Sequence, residues 1–309
     1  MAHPLKARLI ANPVAGSDRA PDELVALNER LRPAVGDLDI VLTTAKGDAA
    51  RAAEQAVREG YDHLFVAGGD GTLNEVLNGV AAVPPGLERV TFGLLPLGTG
   101  NDFAHALGVP EDLEGAVDVL ARGELAEIDV ARLGDRRFVN VSAGGFVAEV
   151  SDAVDPQLKS IAGKLAYLIG GAGALLDHEP HDLVVTIDDE PPRSIRASLF
   201  AVCNSRLVGG GRLIAPYALV DDGELDVCIV EGMRTLELVG LLKKVSAGEH
   251  VADERVHYFR AKNVEIRSDR PFKVNTDGEV IETSVCRYSV APRAARFLAG
   301  DPPFTREAA

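Results

Sequence analysis

Asp70 sits in the run Gly68-Gly69-Asp70-Gly71-Thr72, and that setting is chemically unusual. Three glycines within four residues let backbone amides close on an anion without side-chain obstruction. Thr72 and Glu75 have the spacing of a capping box, which predicts a helix starting there with unspent N–H groups and a partial positive charge. Such a helix start is a seat for phosphate. An acid in the same turn suits a neighbouring divalent cation, or a proton acceptor for an attacking hydroxyl. The plainer alternative is a tight turn with no ligand. No Gly-Lys-Ser or Gly-Lys-Thr follows as a Walker loop requires, and no G-x-G-x-x-G follows the first strand.

Two more turns share this design, each after an apolar strand and leading toward a helix: Asn12-Pro13-Val14-Ala15-Gly16 and Pro96-Leu97-Gly98-Thr99-Gly100-Asn101-Asp102. The elements that must hold them are short apolar strands, Ala7–Ala11, Asp39–Leu42, His63–Ala67 and Thr91–Leu95. Helical stretches at Pro21–Leu31, Asp48–Glu59, Thr72–Ala82, Asn101–Leu107 and Asp112–Ala121 alternate with them. This pattern predicts an α/β domain with a parallel sheet covered on both faces, and the three turns then fall on its carboxyl edge, where ligands bind. From Glu127 onward the texture changes to β-branched, period-2 segments. Gly134-Asp135, Asp188-Asp189, Asp222-Gly223 and Asp277-Gly278 separate many of them, as hairpins require. Two helices, Ser160–Leu176 and Arg234–Ala247, interrupt this mostly antiparallel β-sandwich. The expected division is 1–126, 127–298 and a tail at 299–309.

The chain of 309 residues carries a net charge of −15, which excludes nucleic acid as a partner and leaves any membrane contact local and apolar. The reading is cytoplasmic, with no signal peptide and no run long enough to span a bilayer. Cys203, Cys228 and Cys286 lie far apart in apolar contexts and are expected as buried thiols.

Taken in order, these residues resemble the diacylglycerol kinase catalytic family, which includes bacterial soluble lipid kinases and is related to sphingosine kinases. The resemblance runs through Asn12-Pro13-x-x-Gly16, Gly68–Thr72 with Asn74-Glu75, and Pro96-x-Gly98-Thr99-x-Asn101-Asp102-Phe103-Ala104. It continues through Asp221-Asp222-Gly223-x-Leu225-Asp226-Val227 and Asp277-Gly278-Glu279. It implies an N-terminal α/β domain like that of NAD kinase, a C-terminal β-sandwich, ATP and Mg²⁺ as cofactors, and a lipid acceptor at a membrane surface; it also admits a homodimer. It implies that Asn12 contacts ATP phosphates, that Thr44 reaches the nucleoside, and that Gly68, Gly69, Gly71 and Thr72 cradle the triphosphate. Gly98, Thr99 and Asn101 line the same pocket. Asp70 and Asp102 resemble the acids that organise Mg²⁺. Asp277 and Glu279 resemble essential acids, with Asp70 and Glu279 rivals for the general base. Asp222 resembles the anchor of a structural Mg²⁺, completed near Leu219 and Glu224.

Diacylglycerol is the leading acceptor; a sphingoid base, ceramide or phosphatidylglycerol would offer the same hydroxyl. NAD kinase, which shares the Gly-Gly-Asp-Gly-Thr turn, and an inactive nucleotide or lipid sensor are the alternatives. The apolar Ser160–Leu176 stretch either packs in the core or lines the acceptor cleft, and Val208–Gly211 is a gate or a wide turn.

Overall fold

The computed structural model describes residues 6–15, 29–32, 36, 38–153 and 179–302. The chain divides into two compact units, one built from residues 1–130 and 292–308 and the other from 131–291 with the last residue.

In the first unit the apolar runs become strands β1 (Ala7–Ala11), β2 (Leu38–Leu42), β3 (His63–Gly68) and β4 (Thr91–Pro96). They pair in parallel in the order β4-β3-β1-β2, with Leu9 beside both Ile40 and Phe65, and Val66 beside Leu94. All five residues of β1 and all six of β4 are buried, the signature of a central strand covered on both faces. Helices α1 (Asp48–Arg58), α2 (Asp70–Ala81), α3 (Asp102–Ala106) and α4 (Leu113–Arg122) follow in chain order. The Ala-rich face of α1 is what lets α2 pack closely: a Cβ on Gly79 of α2 would stand 2.2 Å from the Ala50 carbonyl oxygen. Asp112 caps α4 by accepting from the Gly115 amide at 2.8 Å. The expected helix at Pro21–Leu31 falls outside the described residues except for its last turn.

The remaining strands are β5 (Leu125–Leu133), β6 (Arg136–Phe138), β7 (Val141–Gly145), β8 (His181–Ile187) and β9 (Arg193–Cys203), with helix α5 (Phe146–Ala153) after β7. Then come β10 (Leu207–Val208), β11 (Arg212–Leu213), β12 (Leu225–Glu231), helix α6 (Thr235–Lys244), β13 (Val256–Ala261), β14 (Asn263–Thr276) and β15 (Glu279–Leu298). The pairings of the second unit are antiparallel, in the order β13-β12-β9-β7-β14-β15.

Burial explains why β9 and β12 read as unbroken apolar runs. Phe200 and Val202 face one core with Val227 and Ile229. Leu199, Ala201 and Cys203 face another with Cys228 and Val230, under Leu238, Leu241 and Leu242 of α6. The second unit is therefore the expected β-sandwich, and all three cysteines are buried free thiols within it. The Val208–Gly211 run is the turn of a two-strand hairpin, with Leu207 opposite Leu213 and Gly209 to Gly211 all at positive φ. The Ser160–Leu176 stretch lies outside the described residues.

The expected partition at 126/127 and 298/299 differs from the units found. Residues 292–308 return to the first unit, because the end of β15 pairs in parallel with β4, Arg296 beside Thr91 and Phe297 beside Phe92. Phe297 stacks on Phe92 at 4.8 Å and meets Phe103 edge-on at 5.2 Å. Local composition carries no sign of a pairing across some two hundred residues.

His250 is 1% exposed in the second unit, with Nε2 3.0 Å from the Ile214 carbonyl and Nδ1 enclosed without a partner among the described residues. Burial pushes its pKa below the usual 6.5, against a smaller opposing effect of the Ile214 bond. The neutral ring is thus the folded form, so its contribution is complete above pH 6.5 and lost as pH falls below that value. His250→Gln is expected to flatten the decline in melting temperature between pH 7 and pH 5. Parallel declines for parent and variant would remove His250 as the cause.

Candidate active site

The first unit brings one group of the sequence-selected residues together at the carboxyl ends of β3 and β4. The turns Gly68–Thr72 and Pro96–Asp102 lie edge to edge. The Leu97 amide donates to the Gly68 carbonyl at 3.0 Å, and a Cβ on Gly98 would stand 2.4 Å from the Gly69 Cα. Only glycine permits that approach. Asn101, at φ 51°, closes the second turn on itself: its Oδ1 accepts from the Gly98 amide at 2.9 Å and its Nδ2 donates to the Gly98 carbonyl at 2.8 Å. An asparagine tolerates this left-handed backbone better than most residues.

Asp70 ties the two turns. It is the first residue of α2, and its carboxylate accepts from the Asp102 amide through Oδ2 and from the Phe103 amide through Oδ1, both at 3.1 Å. Those amides are the first of α3, where a negative charge is favoured. An ionised carboxylate has about four acceptor positions, so it can accept from more groups than these two amides.

The capping box expected from Thr72 and Glu75 does not form. The helix begins two residues earlier, with Gly69 as an extended N-cap that makes no side-chain bond. Glu75 instead accepts from the Gly47 amide with both oxygens at 3.0 Å, anchoring the loop before α1. The Thr72 and Leu73 amides are spent on the Gly69 carbonyl at 3.0 and 3.1 Å, while the Gly71 amide has no partner among the described residues. The space where a Gly71 side chain would stand is open, with no atom within 4 Å. The half-open space between the turns and the ends of β3 and β4 holds only about 10 Å³, room for no more than a water molecule. An anion would therefore lie on the turns, against the helix start.

Asn12 follows β1 at the same edge, its Nδ2 3.5 Å from the Thr72 Oγ1 and its Oδ1 accepting from the Val14 amide at 3.1 Å. Thr44 follows β2. Its amide and hydroxyl both donate to Asp48 Oδ2 at 2.8 Å, and these bonds, the Thr44 amide first, hold the Asp48 carboxyl down at about 2. Thr99 stands in the Pro96–Asp102 turn, and its side chain makes no hydrogen bond among the described residues.

The second unit gathers the remaining acids at one end of its sheet. Asp277 and Gly278 form the two-residue turn of the β14–β15 hairpin, with Thr276 opposite Glu279 and φ values of 45° and 93°. The hairpin reading and a functional one coexist here, because the Asp277 side chain turns inward and is 9% exposed. It accepts from three amides in succession, Val139 at 3.1 Å, Asn140 at 3.3 Å and Val141 at 3.0 Å. Glu279 is partly buried and paired with Arg136 on β6. The Asp277 amide donates to the Val141 carbonyl, Val141 pairs with Cys203, and Cys203 pairs with Asp226 at the start of β12. The Asp222–Glu224 turn precedes β12 and so lies at the same end of the sheet. Its form is set by Asp222 Oδ1, which accepts from the Glu224 amide at 3.1 Å.

Among the described residues no three or more His, Cys, Asp or Glu side chains cluster tightly enough to hold a metal ion by themselves. The donors present are hard oxygens, carboxylates at Asp70, Asp102 and Asp222 and carbonyls in the Leu219–Glu224 loop. They fit Mg²⁺ completed by waters and phosphate oxygens rather than a closed protein cage. Asp226 lies within the Asp221–Val227 motif, where its spacing alone assigns it no role. It is 1% exposed, accepts from the Tyr258 hydroxyl at 2.7 Å, and has an enclosed Oδ2 with no partner among the described residues. Arg136 was not singled out at all; its partner lies 143 residues away, and a lone arginine in a strand carries no local signal.

A fold with a parallel nucleotide-type sheet, glycine-rich turns at its carboxyl edge and a β-sandwich defines the class of kinases shaped like NAD kinase. Residues 6–133 match the diacylglycerol kinase catalytic domain, and residues 140–299 match the YegS C-terminal NAD kinase beta sandwich-like domain. A diacylglycerol kinase of Staphylococcus saprophyticus is 36% identical over 274 residues, 89% of this chain and 88% of that protein. One from Staphylococcus aureus is 37% identical over 274 residues, 89% and 86% of the two chains. A Bacillus anthracis crystal structure, provisionally called a diacylglycerol kinase, superposes with a TM-score of 0.84 at 27% identity over 97% of both chains. An NAD kinase from Archaeoglobus fulgidus in complex with ATP shares the fold, with a TM-score of 0.53 at 12% identity over 94% of this chain and 93% of that one. The chain belongs to the diacylglycerol kinase family, and it is a lipid kinase. No helix among the described residues is long and apolar enough to cross a membrane.

Proposed function

We propose that this kinase transfers the γ-phosphoryl group of ATP, with Mg²⁺, to the hydroxyl of diacylglycerol at a membrane surface, giving phosphatidic acid. The observation that carries the reading is the Gly71 amide at the start of α2, unspent among the described residues, in one of two apposed glycine-rich turns. A triphosphate is the anion such a seat suits, since amides and helix dipole both point at it. Gly68, Gly69, Gly71 and Thr72 form the cradle; Asn12, Gly98, Thr99 and Asn101 flank it, and Thr44 reaches the nucleoside. Asp70 and Asp102 would hold the catalytic Mg²⁺, and Asp222 with carbonyls of Leu219 and Glu224 a structural one. When bound, Mg²⁺ neutralises charge on the phosphoryl oxygens.

The acceptor proton goes to Asp70 or Glu279. Two amides position the Asp70 carboxylate and Arg136 positions that of Glu279, and a positioned carboxylate can serve as general base. Asp277 acts by shaping the strand that leads to Glu279. Diacylglycerol as acceptor is supported by the Staphylococcus relatives, which span most of this chain.

The test is transfer of label from γ-labelled ATP to a panel of micellar lipids, with NAD included. Label on diacylglycerol, dependent on Mg²⁺, is the expected result. Label on a sphingoid base or ceramide alone would replace the acceptor, and label on NAD alone would overturn the lipid reading.

A further inference from the structure

The opposite edge of the first unit's sheet holds a feature that the kinase reaction does not use. A cavity of about 430 Å³ opens at the amino ends of β3 and β4. It stands five strand residues, about 17 Å, from the glycine-rich turns. His63, Arg89, Thr91 and Arg296 supply its polar lining, and Phe65, Leu120 and Leu298 its apolar lining. In a chain of net charge −15, two guanidinium groups and an imidazole around one opening are a local reversal of sign.

The basic groups differ in how they are held. Arg296 is fixed, its Nη2 donating to the carbonyls of Glu88 and Arg89 at 2.8 Å each, while its Nε is enclosed without an acceptor among the described residues. A buried charged donor left without a partner costs free energy, which a nearby anion offsets. Arg89 is exposed, and its guanidinium makes no hydrogen bond or ion pair among the described residues. His63 is anchored through Nδ1 to Asp62 Oδ1 at 2.9 Å, leaving Nε2 for a ligand. Asp62 is the only acid in the lining, and the same oxygen also accepts from the Lys6 amide.

We infer that this cavity is a second ligand site, which binds a phosphate group and has room beside it for a small apolar body. Arg89 and Arg296 meet the phosphate oxygens, and the Phe65, Leu120 and Leu298 wall takes the apolar part. Forked guanidinium donors match phosphate oxygens in geometry and charge, and the volume is in the range of small-molecule pockets. The phosphate comes either from a lipid headgroup or from free phosphate. The inference does not depend on the lipid acceptor proposed above.

The test is calorimetric titration of the full chain with inorganic phosphate and, separately, with dihexanoyl phosphatidic acid below its micelle concentration. The same titrations are run on Arg89→Glu. Because Arg89 is exposed, this variant is expected to melt with the parent. At least tenfold weaker binding of a probe to Arg89→Glu than to the parent is the expected result. If only the lipid probe behaves this way, the ligand is a lipid headgroup; equal behaviour of both probes assigns free phosphate. Equal affinity of parent and variant for both probes would place binding elsewhere, for example on the glycine-rich turns, and overturn the inference. So would no binding of either probe to the parent at millimolar concentration.

Discussion

Asp70→Asn is expected to lower phosphoryl transfer by about 10²–10³-fold while the protein still folds. The parent carboxylate accepts one amide with each oxygen, those of Asp102 and Phe103. Asparagine keeps one acceptor and turns an NH₂ toward the other amide, so the Pro96–Asp102 turn shifts away from the Gly68–Thr72 turn. Charge is lost as well, at the position where a cation beside the phosphates would be held. The stability cost should be small, about 1–2 kcal/mol for one charged hydrogen bond lost, because the backbone contact of Leu97 with Gly68 remains. Steady-state transfer rates and thermal melts on the same preparation separate the two effects. A rate within threefold of the parent would remove Asp70 from the candidate site.

Asp277→Ala has the second large effect, and it falls on stability. Three buried amides, those of Val139, Asn140 and Val141, donate to this one carboxylate. Alanine leaves all three in a place where water does not replace the acceptor, and the residue must also keep its φ of 45°. The expected loss is about 3–5 kcal/mol, read as a lower urea midpoint at unchanged slope. Asp277→Asn tolerates the same backbone and keeps one acceptor, so its midpoint should fall between parent and alanine variant. A loss under 1 kcal/mol for alanine would mean that the three amides find other partners.

These two acids show how far sequence reasoning reached. Asp70 and Asp277 each stand beside glycine in a turn dipeptide, and that spacing was legible. Nothing local says that Asp70 binds the amides of residues 102 and 103, or that Asp277 binds amides 136 to 138 residues earlier in the chain. Thr72 and Glu75 show the opposite failure. Their spacing is that of a capping box, yet the helix starts at Asp70 and Glu75 is taken by Gly47. A capping box competes with any tertiary donor of equal strength, and here the donor across the helix pair wins.

By itself the sequence determined the order of elements, the parallel sheet of the first unit and the hairpins of the second, since each follows from periodicity and turn chemistry within a few residues. It also determined which turns carry acids and glycines, and through them the family. Only the tertiary structure decided that the end of β15 rejoins the first sheet, that β9 and β12 are buried on both faces, that Arg136 pairs with Glu279, and that basic side chains meet at the amino edge of β3 and β4. Each of these is a contact between segments far apart in the chain. Its free energy depends on which surfaces remain to be buried once the local elements have formed, and no window of neighbouring residues contains that information.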